Sequence, residues 1–322
     1  MENRSFAENP KNMATLIDLV GNTPLVELRK INPNPNVRLY GKLEGNNPGG
    51  SVKDRAALGM ISGALERGEI KPGMKLIEAT SGNTGIALAM IASLYNLEIE
   101  LVMPENATIE RVQTMQAFGA TVTLTPRGQS MEGAIDYVSE KVAGGGYFVL
   151  DQFGNADNWK AHYRTTGPEI WGDTHGQITH FVSSMGTTGT IMGVSRFLKE
   201  QNGGVQIIGC QPTDDSCIPG IRKWPEAYLP KIFERDRMDR VMEVSQAEAI
   251  ATTRRLAREE GVFCGMSAGG AVAASLKLIQ ELESGVVVCI ICDRGDRYLS
   301  SDLFEASESL TPAFSEAEGV KK

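Results

Sequence analysis

Histidine and cysteine are scarce in this sequence, and neither residue type is spaced for a metal site. Only His162, His175 and His180 are present among 322 residues, and they lack the spacing of metal ligands. The five cysteines are odd in number and lie in the second half of the chain, which disfavours a secreted disulfide scaffold. We therefore expect no metal and a reducing, cytoplasmic environment.

Cys289 and Cys292 form a C-x-x-C spacing, which occurs in redox and zinc sites. They lie in an apolar run that is typical of a buried strand, where residues three apart point to opposite faces. The sequence offers no second such pair to complete a metal site. We interpret both cysteines as core residues.

Positive charge is in deficit, since 32 basic residues face 40 acidic ones and the formal net charge is −8. Nucleic acid is not expected as a partner, because binding to phosphate backbones requires a basic surface. The longest apolar runs, at 86–92 and 286–291, are too short to span a bilayer. Residues 1–12 are polar and lack the apolar core of a secretory signal. No membrane association is expected.

The sequence does contain a regular alternation of short apolar runs with longer stretches of helical period. Strands are predicted at 37–43, 75–79, 99–103, 121–125, 180–183, 205–210 and 286–292. Helices are predicted at 55–67, 84–95, 109–118, 131–142, 190–200, 246–260 and 270–282. This alternation predicts βαβ units and an α/β fold of two domains, each a mostly parallel twisted sheet covered by helices.

Three further segments interrupt this alternation. A polar stretch at 154–159 separates two sets of βα units, which places a domain break there. The loop at 212–231 is long and contains proline, as lids and binding loops often do. The acidic tail at 305–322 is predicted to be disordered.

Four loops at predicted strand-to-helix junctions carry small and polar residues, and parallel α/β sheets bind ligands at such junctions. In the first loop, Ser51 and Asp54 have capping-box spacing, which predicts a helix start at Ser51 and puts Lys53 in the first turn. The helix dipole opposes a positive charge there and favours a neutral amine, which can attack a carbonyl carbon. A solvated surface lysine is the alternative that this loop alone leaves open.

The second and third loops offer hydrogen-bond donors to anions. Residues 80–85 (Thr-Ser-Gly-Asn-Thr-Gly) present hydroxyls, an amide and backbone N–H groups suited to a carboxylate, although a simple helix cap explains them equally well. Residues 186–190 (Gly-Thr-Thr-Gly-Thr) allow close approach of a phosphate. This loop matches neither the nucleotide P-loop nor the dinucleotide fingerprint.

The fourth loop, at 265–270, places Ser267 at a helix start, where a helix cap is again the alternative. Its Gly-Met-Ser-Ala-Gly spacing is also that of a hydrolase elbow, which requires a later histidine. The last histidine is His180, so we reject a serine hydrolase.

Taken together, these loops resemble one family, the fold-type II pyridoxal-phosphate enzymes with a tryptophan synthase β-like fold. Within it they are most similar to cysteine synthases, the O-acetylserine sulfhydrylases. The matching motifs occur in order at 21–25 (Gly-Asn-Thr-Pro-Leu), 47–55 (Asn-Pro-Gly-Gly-Ser-Val-Lys-Asp-Arg), 80–85, 167–171 (Gly-Pro-Glu-Ile-Trp) and 186–190. The resemblance covers about 16–304.

The resemblance implies a role for each matched residue. Lys53 corresponds to the lysine that forms the Schiff base with pyridoxal 5′-phosphate. The phosphate cradle corresponds to Gly186, Thr187, Thr188, Gly189 and Thr190. Asn83 corresponds to the partner of the cofactor's 3′-oxygen, and Ser267 to the partner of its pyridine nitrogen. The substrate-carboxylate site corresponds to Thr80, Ser81, Thr84 and Gln152.

The resemblance also implies an activity and a domain organisation. The expected reaction converts O-acetyl-L-serine and sulfide to L-cysteine through an aminoacrylate intermediate, with Lys53 as general base. A smaller mobile domain at 46–157 would carry the substrate loop, and 13–45 plus 158–304 would form the larger domain that binds the cofactor phosphate. A homodimer is expected.

The segments 218–225 and 292–299 resemble the B-type members of the family, which also accept thiosulfate and then produce S-sulfocysteine. Arg222 would receive the bulkier dianion, and Cys292 would leave room for it. A solvated Arg222 and a purely structural Cys292 remain the alternative, and Lys223 is a second candidate cation.

Three other functions are weighed against this one. A cystathionine β-synthase-like condensation usually requires extensions for which the short tails leave no room. A serine/threonine dehydratase of the same fold is a second alternative. A non-catalytic regulatory or binding protein on this scaffold is disfavoured, because the lysine, phosphate loop and carboxylate loop are all intact.

Overall fold

A computed structural model of the protein describes residues 14–80, 82–105 and 107–305. The predicted tail, apart from Glu305, therefore lies outside the described residues, as does Ser81 of the predicted carboxylate site.

The described residues form ten strands and nine α-helices. The strands are β1 (Leu25–Glu27), β2 (Val37–Leu43), β3 (Lys75–Ala79), β4 (Ile99–Pro104), β5 (Thr121–Thr125), β6 (Tyr147–Val149), β7 (His180–Ser184), β8 (Gln206–Pro212), β9 (Arg240–Val244) and β10 (Gly285–Ile291). The helices are α1 (Lys53–Glu66), α2 (Asn83–Leu94), α3 (Ile109–Ala117), α4 (Ser130–Ala143), α5 (Ala156–Arg164), α6 (Thr166–Asp173), α7 (Gly189–Gln201), α8 (Gln246–Arg255) and α9 (Met266–Glu281). A π-helical turn, Leu256–Glu260, extends α8.

The strands form two sheets. Six strands pair in the order β1-β2-β10-β7-β8-β9, and four pair in the order β5-β4-β3-β6. Every pairing is parallel except that of β1 with β2. The predicted α/β fold with mostly parallel sheets is confirmed. The domain boundary at 154–159 stays a prediction, although β6 and β7, which flank it, belong to different sheets.

Helices cover both faces of the six-stranded sheet, as the alternation of its side chains requires. In β10, Val287 packs in a core with Leu278 and Ile279 of α9, whereas its neighbour Val288 packs on the opposite face with Ile191 of α7. Helix α2 is buried on all sides from Thr84 to Ala92, as its apolar sequence predicts. Within the described residues, no helix is long and apolar enough to cross a membrane.

All seven predicted strands are present, each with ends within two residues of the prediction. Five elements were not predicted from the sequence: the strands β1, β6 and β9, which are only three to five residues long, and the short helices α5 and α6. Helix α9 begins four residues before its predicted start at 270, because glycines in its first turn do not interrupt it. At Gly269 an added Cβ would overlap Thr253 of α8, so the glycine permits close packing of two helices.

Two predictions about local structure are wrong. Helix α1 begins at Lys53 with Val52 as its N-cap, and its side chains form no capping box. Asp54 instead reaches back past Ser51 and accepts the N–H of Gly49. The loop that contains Ser267 follows the π-helical turn rather than a strand, so it is not a strand-to-helix junction.

Candidate active site

Lys53 is the first residue of α1, and its loop is fixed to the end of β10. The N–H of Val52 donates to the carbonyl of Cys292 over 2.8 Å, and Ser51 pairs with Asp293 in an isolated antiparallel bridge. The positive charge of Lys53 acts to lower the pKa of the Cys292 thiol and that of the His162 imidazole. Lys53 is therefore half-buried rather than fully solvated, on a helix whose first turn is tied to the end of β10.

Residues 186–190 connect β7 to the start of α7, as the sequence predicts. Thr188 adopts a left-handed conformation with φ 70°, and its buried hydroxyl has no hydrogen-bond partner among the described residues. At Gly189 a Cβ would overlap the amide of Asn158, so this position requires glycine. An unpartnered hydroxyl beside the N–H groups of a helix start fits a phosphate dianion.

Behind this loop lies His162, which the sequence analysis considered only as a metal ligand. Its ring nitrogens contact the hydroxyl of Thr190 over 3.3 Å and that of Thr166 over 2.8 Å. Burial lowers the pKa of His162 well below its usual value, and the nearby cations of Arg55 and Lys53 act in the same direction. The imidazole is therefore neutral at physiological pH and orients Thr190 through hydrogen bonding.

The described residues that were predicted to bind the substrate carboxylate meet where β3 is followed by α2. Thr80 follows β3 and is buried, and the hydroxyl of Thr84 in the first turn of α2 donates to Oε1 of Gln152 over 3.0 Å. That bond leaves the amide nitrogen of Gln152 as the donor for another partner. A carboxylate at the start of α2 would also be stabilised by the helix dipole.

Two residues that the sequence analysis missed support this site. Asn158 donates from one amide nitrogen to the carbonyl of Gln152 over 2.7 Å and to the hydroxyl of Thr187 over 3.2 Å, which joins the carboxylate site to the phosphate loop. Glu78 accepts the N–H of Asp151 and of Gln152, each over 3.3 Å, and burial raises its pKa to about 7. Asn158 lay in the polar stretch that we interpreted as a domain break, so its role had no signal in the sequence.

Asn83 is the first residue of α2, and both ends of its amide are occupied. Its nitrogen donates to Oδ2 of Asp293 over 2.6 Å, and its oxygen accepts a hydrogen bond from Arg297. The hydroxyl of Tyr298 donates to the same oxygen of Asp293 over 2.7 Å. The segment after β10 therefore contacts the residue that was predicted to bind the cofactor's 3′-oxygen.

Ser267, in the first turn of α9, and Cys292, which follows β10, lie next to each other. The hydroxyl of Ser267 is a hydrogen-bond partner of the Cys292 thiol, and its carbonyl accepts from the hydroxyl of Ser184 over 2.7 Å. Burial raises the pKa of Cys292 to about 11, and the carboxylate of Asp293 adds to the effect. Cys292 therefore remains a neutral thiol at physiological pH.

The two thiols of the C-x-x-C pair contact different parts of the structure. The thiol of Cys289 lies against the carbonyl of Tyr40, whereas Cys292 follows the end of β10 and contacts the carbonyl of Ile290. Burial raises the pKa of Cys289 to about 12. Within the part of the chain that the structure describes, three or more metal-ligating side chains do not converge anywhere.

The loop between β8 and β9 packs against the phosphate loop, where the sequence analysis expected a lid. The N–H of Arg222 donates to the carbonyl of Met185 over 2.8 Å, and the indole N–H of Trp224 donates to the carbonyl of Gly186 over 2.7 Å. The guanidinium of Arg222 lies 5.2 Å from the centroid of the Trp224 ring. No described contact joins Arg222 to Cys292, so the structure places only the loop, and not the guanidinium, beside the site.

Comparison with known proteins gives a consistent result. The family described as pyridoxal-phosphate dependent enzyme matches residues 16–293. The chain is 60% identical to cysteine synthase B of Pseudomonas aeruginosa over 90% of this chain and 97% of that protein. It is 57% identical to cysteine synthase B of Escherichia coli over 91% of this chain and 96% of that protein. A crystal structure of cysteine synthase from Entamoeba histolytica is similar with a TM-score of 0.88 and 36% identity, and the match covers 96% of each chain.

The family matches agree with the chemistry of the residues in the candidate site. The unpartnered hydroxyl of Thr188, the close approach at Gly189 and the enclosed Lys53 fit a phosphorylated aldehyde cofactor. This chain therefore belongs to the pyridoxal-phosphate dependent enzymes and, within them, to the cysteine synthase B family.

Proposed function

We propose that this enzyme replaces the acetate of O-acetyl-L-serine with sulfide to make L-cysteine, and that it also uses thiosulfate to make S-sulfocysteine. The observation that carries the proposal is that Asn158 hydrogen-bonds both to Gln152 of the predicted carboxylate site and to Thr187 of the phosphate loop. A β-replacement requires one pocket to hold the cofactor phosphate, a reactive lysine and the substrate carboxylate together.

Different residues of the site would bind different parts of the cofactor. Lys53 would hold it covalently, residues 186–190 would bind its phosphate, and Asn83 would donate to its 3′-oxygen. Ser267 would face the pyridine nitrogen. When bound, pyridoxal phosphate withdraws electrons from the α-carbon of the amino acid, which makes loss of the α-proton and of acetate possible.

The protein's own contribution is to orient the substrate and to move one proton. The substrate carboxylate would accept hydrogen bonds at the start of α2, from the backbone N–H of Thr84 and from the amide nitrogen of Gln152. The Nζ atom of Lys53 would remove the proton from Cα and later return it. A hydroxyl at Ser267, unlike a carboxylate, does not keep the pyridine nitrogen protonated, which favours elimination at Cβ over transamination.

We expect purified protein to convert O-acetylserine and sulfide to cysteine far faster than it condenses serine with homocysteine. Lys53→Ala should lower kcat for cysteine formation by about a thousandfold or more, because the general base is lost. The exposed Lys71→Ala is the matched control and should retain full activity. Product analysis by mass spectrometry tests both statements. Faster cystathionine formation would contradict the proposed reaction, and an unchanged kcat in Lys53→Ala would contradict the role of the lysine.

The proposal that thiosulfate binds at Arg222 is supported by the charges around the loop. Lys223, the competing cation, pairs with Asp214 over 2.6 Å and with Glu243 over 2.8 Å. Among the described residues, the exposed Arg222 forms no ion pair and stacks only on Trp224. The charge of Arg222 is therefore available to an anion, whereas that of Lys223 is neutralised. A guanidinium can also bind two oxygens of thiosulfate at once.

We expect Arg222→Ala to lower kcat/KM for thiosulfate by about 10- to 100-fold while it changes that for sulfide less than threefold, because a charge-assisted hydrogen bond to the dianion is lost. Lys223→Ala, the matched control on the adjacent residue, should change neither value by more than about threefold. Steady-state kinetics with the two sulfur donors gives the comparison. Equal losses for both donors in Arg222→Ala would exclude Arg222 as the specific anion ligand, and cysteine formation without any S-sulfocysteine would contradict thiosulfate use itself.

We also propose that residues 46–157 move as a unit when substrate binds. The support is that Asn83 and Thr84 lie on α2, next to the four-stranded sheet, whereas the phosphate loop follows β7 of the six-stranded sheet. A bound amino acid would add hydrogen bonds between these two parts.

Closure predicts slower amide hydrogen exchange at 82–86 of the loaded enzyme when an amino acid is present, with β10 as the internal reference that should not change. Hydrogen exchange followed by mass spectrometry measures both regions. Equal exchange at 82–86 with and without the amino acid would contradict the closing motion.

A homodimer and a cytoplasmic location complete the proposal. Both rest on the family resemblance and, for the location, on the cysteine content.

A further inference from the structure

The side chain of Arg297 connects two parts of the site that are far apart in sequence. Arg297 lies in the short 3₁₀ helix Gly295–Tyr298, which follows β10. One nitrogen of its guanidinium donates to Oδ1 of Asn83, and the other donates to the carbonyl of Gly49. At the next residue, Gly50, an added Cβ would lie 2.7 Å from the same guanidinium, and φ is +80°. Gly50 therefore allows the arginine to approach the loop closely.

The peptide of Gly49 is held from both sides. Its carbonyl accepts from Arg297, and its N–H donates to the carboxylate of Asp54, the residue after Lys53. Asp54 and Gly49 are both buried, so water does not compete for these bonds. One guanidinium thereby couples the loop that presents Lys53 to the first residue of α2.

The contact of Arg297 with Asn83 also determines which end of the Asn83 amide is available as a donor. A guanidinium can only donate, so it binds the amide oxygen and never the amide nitrogen. The nitrogen of Asn83 is thereby turned toward Asp293, to which it donates over 2.6 Å. Asp293 follows Cys292 and pairs with Ser51, two residues before Lys53, so the amide nitrogen donates to a residue beside the Lys53 loop.

We propose that Arg297 is a positioning residue that fixes the donor end of the Asn83 amide toward the cofactor's 3′-oxygen and couples Asn83 to the Lys53 loop. This inference rests on the proposed role of Asn83 in binding that oxygen. Both bonds require the planar fork of arginine, since a lysine ammonium cannot span Oδ1 of Asn83 and the Gly49 carbonyl with fixed geometry.

A purely structural arginine would give different results from a positioning one. Loss of a structural contact would lower the melting temperature but would leave the cofactor's spectrum unaffected. Loss of a positioning contact should change the electronic environment of the cofactor in the same way as loss of Asn83 itself. The two explanations are separated by a double-mutant cycle, which measures whether two residues act through one interaction.

The test uses the loaded enzyme and the variants Arg297→Met, Asn83→Ala and the double variant. We expect each single variant to speed cofactor release by about tenfold, the effect of one charge-assisted or buried hydrogen bond, and to change the visible absorption band in the same direction. The double variant should release the cofactor no faster, and shift the absorption band no further, than the single variant with the larger effect. Arg297→Lys should still show more than half of the change seen in Arg297→Met, because lysine can keep only one of the two hydrogen bonds.

Arg294→Met is the matched control. Arg294 lies in the same turn, pairs with Asp296 over 2.9 Å and has a side chain that is 61% exposed. It should leave both the absorption band and the release rate unchanged. Circular dichroism of all variants checks that each has folded.

The possible outcomes distinguish a failure of the role of Arg297 from a failure of the role of Asn83. If Asn83→Ala alters the band and Arg297→Met does not, or if the two effects simply multiply, the role of Arg297 is wrong while that of Asn83 stands. If Asn83→Ala leaves the band and the release rate unchanged, the proposed role of Asn83 fails and the inference fails with it. If Arg297→Met does not fold, Arg297→Lys provides the same comparison with Asn83→Ala.

Discussion

The structure of the site depends on a buried ion network that holds the start of α1. Arg55 lies two residues after Lys53, and its guanidinium binds Glu44 and Glu169, in each case over 2.7 Å at the closest atoms. Lys42 adds a second cation, 2.9 Å from Glu169. Burial opposes ionisation of Glu169, but the hydrogen bonds and charge of Arg55 bring its pKa down to about 2. Removal of one partner from such a buried network typically costs about 3–5 kcal/mol of folding free energy, because the remaining charge is left unpaired.

This network gives a structural role to the motifs at 21–25 and 167–171, which contain none of the predicted binding residues. The motif at 21–25 supplies the N–H of Asn22, which donates to Glu169 over 2.9 Å, and the hydroxyl of Thr23, which donates to Glu44 over 2.7 Å. Glu169 belongs to the motif at 167–171, and Arg55 to the motif at 47–55. Three segments that are distant in sequence therefore meet at one guanidinium, and Lys53 is presented from the helix that they anchor.

The sequence predicts the fold well, and it also singles out the candidate binding loops, for a physical reason. Parallel strands buried on both faces read as short continuous apolar runs, so the α/β alternation is visible without any structure. The anion-binding loops are recognisable because close approach to a ligand demands glycine and small hydroxyl residues at helix starts, as at Gly189 and Thr188.

The supporting residues could not be predicted because their roles depend on contacts between distant segments. Asn158 looked like part of a polar linker, His162 like an isolated histidine, and Asp54 like half of a capping box. Each of these interpretations follows from local sequence rules. In the structure, however, Asn158 binds Gln152 and Thr187. His162 binds Thr190, and Asp54 binds Gly49. Arg297 likewise has no local signal, since it meets Asn83 and Gly49 across more than 200 residues of chain.

Lys53 is proposed to carry the cofactor, and chemical trapping tests this role directly. Treatment of the loaded enzyme with borohydride should fix pyridoxal phosphate to a single lysine, and peptide mapping by mass spectrometry identifies that residue. We expect one modified peptide, and we expect it to contain Lys53. A modification at any other lysine, for example the fully buried Lys42 that the ion network already engages, would contradict it.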